Sequence, residues 1–185
     1  TVFNTQVKIN NKSRKEDLHR LVELETIQFK DASIDELSSL GVFVRLEELS
    51  FSGTSLTNIE PIATMETLEI LQATSSPIHD LAPLSSLKNL RQLDISNTAV
   101  EDLRPLSVLE NLRDLNCSGT QVSNLSPLEN LSLESVDCSN TRVKKLEPLF
   151  GLPLKSLKCY NTRVSSKEVD KFKSRIPDAN VVYYR

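Results

Sequence analysis

The sequence predicts an α/β solenoid: a curved, right-handed coil with one parallel β-sheet on its concave face, short 3₁₀ turns on its convex face and helical caps at both ends. Three observations predict it. One pattern recurs seven times, starting at Leu24, Leu46, Leu68, Leu90, Leu112, Leu133 and Leu154, in steps of 22 residues that shorten to 21 for the last two. Within each copy, the residues three and five places after that leucine are almost all apolar and alternate with polar ones, which is the period of a strand with one face inward. Fifteen places after it, proline recurs at Pro61, Pro83, Pro105, Pro127 and Pro148, each followed by an apolar residue. A unit of this size cannot bury its apolar side alone, so successive copies stack.

Along the chain, residues 1–23 read as an N-terminal cap. Val2, Phe3, Val7 and Ile9 suggest a strand, and Ser13 with Glu16 forms a capping box for a helix from Arg14 to about Val22. Residues 24–164 hold the seven repeats. The strand of each repeat points Ile27, Leu49, Leu71, Leu93, Leu115, Val136 or Leu157 inward, followed two residues on by Phe29, Phe51, Ala73, Ile95, Cys117, Cys138 or Cys159. A small hydroxyl residue then recurs where the chain leaves the strand, at Thr54, Ser76, Thr98, Thr120, Thr141 and Thr162, positioned to bond backbone groups that the sheet leaves free. Proline opening a turn loses no hydrogen bond, and apolar residues one and four places after it suit one turn of 3₁₀ helix. The shortened steps lose a residue just before the strand, at Ser132 and Pro153, which keeps the register. Residues 165–185 read as a C-terminal cap: Ser165 or Ser166 caps a helix to about Arg175 with Val169, Phe172 and Ile176 on one face, Pro177 stops it, and Asn180 to Tyr184 forms a last strand. The whole reads as a single domain.

The repeat pattern LxxLxxSxTxVxxLxPLxxL, clearest from Leu90 to Leu109 and from Leu112 to Leu131, resembles the 22-residue leucine-rich repeats of bacterial internalins and of the phosphatase-regulator type. The resemblance covers residues 24–164, departing where those families usually carry Asn and this chain carries Thr. It implies a recognition module without catalytic residues.

The net charge of −3 conceals an asymmetry: residues 1–141 hold 11 Lys/Arg against 21 Asp/Glu, and residues 142–185 hold 11 against 4. The body is acidic and the C-terminal end basic. No apolar run is long enough to span a bilayer. The three cysteines fall at the same inward position of consecutive repeats, so they read as a buried stack of thiols, without a disulfide framework or a tetrahedral metal site. Unpaired core thiols favour a reducing, cytoplasmic compartment. The chain begins at Thr1 without Met, so a secreted or surface-attached location stays open. His19 and His79 stand alone, and the scattered glycines Gly41, Gly53, Gly119 and Gly151 make no phosphate-cradling loop. No cofactor, metal, small-molecule substrate or enzymatic activity is expected.

Function is expected on the outward face of the sheet. Its candidate partner-binding residues are Glu48, Ser50, Ile70, Gln72, Gln92, Asp94, Asp114, Asn116, Asp137, Lys158 and Tyr160, a polar, acidic surface suited to a protein or peptide ligand of basic character. The alternatives are an anionic partner on the basic end (Arg142, Lys144, Lys145, Lys155, Lys158, Arg163, Lys171, Lys173) and an auxiliary or structural role in a larger protein. Nucleic acid is disfavoured, because the acidic body would repel phosphate. The inward and outward assignments carry a stability expectation: Leu93→Ala costs a core cavity, whereas Asp94→Ala costs little.

Overall fold

A computed structural model describes residues 24–29 and 45–184. Eight three-residue strands form one open parallel sheet in chain order: β1 (Thr26–Gln28), β2 (Glu48–Ser50), β3 (Ile70–Gln72), β4 (Gln92–Asp94), β5 (Asp114–Asn116), β6 (Ser135–Asp137), β7 (Ser156–Lys158) and β8 (Asn180–Val182). Register is strict. Ile27, Leu49, Leu71, Leu93, Leu115, Val136, Leu157 and Val181 pair in one row, and from Leu49 to Leu157 this row is buried. A slip of one residue would turn every one of these side chains to solvent, so burial itself fixes the register. The expected N-terminal cap lies outside the described residues.

The convex side carries 3₁₀ turns at Glu60–Thr64, Ala82–Ser86, Arg104–Val108, Ser126–Leu128 and Glu147–Leu149, each with proline in its first two positions. In a 22-residue repeat, three i to i+3 bonds follow one another: the Leu84, Leu87 and Leu90 N–H groups donate to the Leu81, Leu84 and Leu87 carbonyls at 2.9, 3.0 and 3.0 Å. The shortened repeats keep the first two, with Leu128 and Leu131 donating to Leu125 and Leu128, and drop the third. The missing residue therefore comes out of the corner between turn and strand, and the strands stay in register.

The hydroxyl column bonds where its position implies. Thr98, Thr120, Thr141 and Thr162 donate through Oγ1 to the carbonyls of Ile95, Cys117, Cys138 and Cys159 at 2.6–2.7 Å. These are buried acceptors at the end of the strand, each worth about 1 kcal/mol when satisfied. The single α-helix among the described residues, α1 (Ser166–Arg175), starts from Ser165, whose Oγ accepts the Glu168 N–H at 3.2 Å. It buries Val169 and Phe172. Phe172 meets Phe150 at 6.2 Å between ring centroids, and Glu168 Oε1 accepts the Leu146 N–H at 3.0 Å. α1 thus covers the last 3₁₀ turn, and β8 then pairs with β7.

Candidate interaction face

Each strand presents its first and third residues on the face opposite the core. Parallel register aligns them into two rows: Glu48, Ile70, Gln92, Asp114, Ser135 and Ser156, and Ser50, Gln72, Asp94, Asn116, Asp137 and Lys158. Eight of the sequence-predicted residues converge on one shallow hollow of about 250 Å³ across β3 to β7: Ile70, Gln72, Gln92, Asp94, Asp114, Asn116, Asp137 and Lys158. Glu48 lies outside it on β2, and Tyr160 follows β7, its ring stacked on that of Tyr184 with centroids 4.6 Å apart and planes 6° from parallel.

Ser50 departs from expectation. It is 3% exposed. Its side chain ends at Oγ, whereas its register neighbours Gln28 and Gln72 are much longer and stay exposed. Pointing outward on a strand does not expose a side chain that its neighbours overreach. Ser96 and Ser139, two residues on from Asp94 and Asp137, are also little exposed, at 7% and 0%. Ile70, the one apolar side chain among the candidate residues, is half-buried.

The acidic row is partly committed to the backbone. Asp94 Oδ1 accepts the Ser96 N–H at 2.9 Å, Asn116 Oδ1 accepts the Ser118 N–H at 3.1 Å, and Asp137 Oδ1 accepts the Ser139 N–H at 3.0 Å. The N–H groups on either side of these already donate to the next strand: Ile95 to Asn116 and Asn97 to Ser118. The intervening N–H faces away from that strand, and the side chain two residues back supplies its acceptor, an Asx turn. The remaining carboxylate oxygens meet neighbouring strands. Asp94 Oδ2 accepts from Asn116 Nδ2 at 2.9 Å, and Asp137 Oδ2 lies 3.5 Å from Lys158 Nζ. Asp114 differs: among the described residues it has neither a hydrogen-bond partner nor an ion pair for its carboxylate, and it sits half-buried in the hollow between Gln92 and Ser135.

Two further columns escaped the sequence reading. The residue just before the hydroxyl column takes a left-handed backbone in every described repeat: Gly53, Ser75, Asn97, Gly119, Asn140 and Asn161, with φ between 51° and 72°. Gly53 and Gly119 are therefore not scattered but equivalent. The second column caps the 3₁₀ turns: Asn58, Asp80, Asp102 and Asn124 accept the N–H two residues on, at 2.8–3.0 Å. That bond, followed by the Arg104 side chain, holds the Asp102 carboxyl below its usual range. A column mixing Gly, Ser and Asn, or Asn and Asp, was the available signal.

Beneath the face the three thiols are free and buried. Burial pushes Cys117 up to about 12 and Cys159 up to about 11, and raises Cys138 well above 9.0. Thiols held neutral in this way are poor nucleophiles. Among the described residues, no group of three or more His, Cys, Asp or Glu is placed to hold a metal ion, and no helix is long and apolar enough to cross a membrane.

A stack of short parallel strands, proline-opened 3₁₀ turns and a hydroxyl at each strand exit defines a leucine-rich-repeat solenoid. A family model described as Leucine Rich repeats (2 copies) matches residues 88–130. The structure is similar to internalin C2 of Listeria monocytogenes, with 28% identity and a TM-score of 0.85 over 91% of this chain and 75% of that one. It also resembles a leucine-rich-repeat protein of Leptospira interrogans (18% identity, TM-score 0.78, 90% of this chain, 44% of that one). A third likeness is to the plant peptide hormone receptor RGFR1 in complex with RGF2 (15% identity, TM-score 0.65, 81% of this chain, 26% of that one). The chain thus spans three quarters of internalin C2 and less than half of the other two. No curated protein sequence matches it significantly. The chain folds as a leucine-rich-repeat solenoid, and its repeats are similar to those of the bacterial internalins. Such proteins generally mediate protein–protein interaction, and catalysis is not their usual role.

Proposed function

We propose that this chain is a non-catalytic module that binds a basic protein or peptide through the strand face. The observation that carries this reading is the unpaired Asp114 carboxylate in a hollow walled by Asp94 and Asp137. A half-buried carboxylate without a partner favours an incoming Arg or Lys, which gains a charge-assisted bond where water is partly displaced. The plant receptor, solved in complex with RGF2, shows a solenoid of this class holding a partner. The face is poor in the Trp, Tyr and Arg that dominate tight interfaces, so electrostatics set the affinity and salt weakens it.

The cleanest test substitutes Asp114→Lys, because this side chain holds no backbone group. A basic protein captured from lysate by the wild type and lost by the folded variant is expected, with capture by the wild type declining as salt rises. Equal capture by both proteins would remove the strand face from consideration.

A further inference from the structure

The chain carries a second charged surface with different wiring. Between residues 45 and 163, most Lys and Arg side chains are already engaged. Arg91 pairs with Glu69 at 3.3 Å, Arg104 with Asp102 at 2.8 Å, Lys158 with Asp137 at 3.5 Å, and Lys155 with Glu134. Lys88 and Arg113 donate to backbone carbonyls, and Arg45 also has a partner. Arg142, Lys144, Lys145 and Arg163 remain, all exposed and with no side-chain partner among the described residues.

These four share one corner of the solenoid, just beyond the strand exit. Val143 and Val164 are fully buried there, so the residues flanking them face outward: Arg142 and Lys144 in one repeat, Arg163 in the next. A backbone ladder runs along this corner. The Arg142 N–H donates to the Val122 carbonyl and the Arg163 N–H to the Val143 carbonyl, each at 2.9 Å. Arg142 and Arg163 therefore stand side by side, about 5 Å apart at their backbones. In the preceding repeats the equivalent positions hold Pro77, Ala99 and Gln121, so the cationic character begins abruptly at Arg142.

We propose that this corner is an interaction surface for a short acidic polypeptide segment. Two adjacent guanidinium forks match two carboxylates one helical turn apart, about 5–6 Å, and Arg holds carboxylates bidentately. The small extent of the corner argues for a short segment. A long polyanion or a membrane plane would run on past two repeats and meet Glu101 and Asp102, on a body whose first 141 residues carry a net charge of −10. Lys155, Lys158 and Lys171 are compensated by Glu134, Asp137 and Glu147, which confines the basic end to this corner and to the exposed cations of α1. This inference stands apart from the strand-face reading, since it uses none of those residues.

The test is fluorescence anisotropy with a short, labelled Glu-rich peptide on the full chain, against Arg142→Ser, Arg163→Ser as a double variant. Both positions are exposed, so the variant keeps its fold, checked by circular dichroism. Binding by the wild type that weakens with salt, and drops roughly tenfold or more in the double variant, is the expected result. No binding, or equal binding by the two proteins, overturns the proposal. A single-stranded oligonucleotide or a phosphatidylserine vesicle bound as tightly as the peptide overturns the assignment to polypeptide.

Discussion

At the residue scale, the left-handed column is where single substitutions are most telling. Each described repeat leaves its strand through φ between 51° and 72°, filled by Gly twice, Asn three times and Ser once. A left-handed backbone costs an ordinary L residue about 1–2 kcal/mol, less for Asn. Ser75→Gly is therefore expected to stabilise by up to about 1 kcal/mol, read as a raised melting temperature. Gly119→Ala is expected to cost more than Gly53→Ala. Both acquire a strained φ, but a Cβ on Gly119 would lie 2.3 Å from Asn97 Oδ1, whereas one on Gly53 meets nothing within 4 Å. Equal melting temperatures for the two variants would show that Asn97 yields freely. The Asx turns also revise an expectation drawn from the sequence. Leu93→Ala still costs about 2–5 kcal/mol as a core cavity, but Asp94→Ala leaves the Ser96 N–H without its acceptor and costs about 1 kcal/mol. Period-2 alternation tells which side of a strand a residue faces and nothing about whether its side chain turns back on its own backbone. That is why the hollow was legible in the sequence, while the burial of Ser50 and the commitment of Asp94 and Asp137 were not.

At the element scale, strands and turns were legible because their signals are redundant. Seven copies of one spacing overrule any odd residue, such as Ala73 where other repeats place larger apolar side chains. The exit corners were harder, since their columns mix residue types that share only a tolerance for left-handed backbone or an acceptor two residues back. The thiols that follow β5, β6 and β7 give this part of the solenoid a pH response. In the unfolded chain a cysteine ionises near 9.0, whereas burial holds Cys117 at about 12 and Cys159 at about 11. Above about pH 9 the unfolded chain releases protons that the folded chain keeps, so stability falls as pH rises through that window and is unaffected below it. Urea midpoints should drop between neutral pH and pH above 9, and drop less with Cys117→Ala, Cys138→Ala and Cys159→Ala combined. A parallel fall in both proteins would assign the loss to other groups.

At the scale of the whole molecule, the sheet runs strictly in chain order, so each repeat is held by the repeats beside it. Stability in such an array is close to a sum of local and nearest-neighbour contributions. A lesion at one end should therefore loosen that end first. Phe172 offers the test: it is fully buried on α1 and packs on Phe150 beside the last 3₁₀ turn, at the C-terminal end of the array. Phe172→Ala removes about 3–5 kcal/mol of packing by the usual cost of a buried aromatic. If coupling passes only between neighbours, amide hydrogen exchange should quicken in β7, β8 and the Glu147–Leu149 turn, while β3 to β5 keep wild-type protection. Loss of protection spread evenly over all the strands would instead mean that the array unfolds as one cooperative unit, with α1 stabilising every repeat through the continuous sheet.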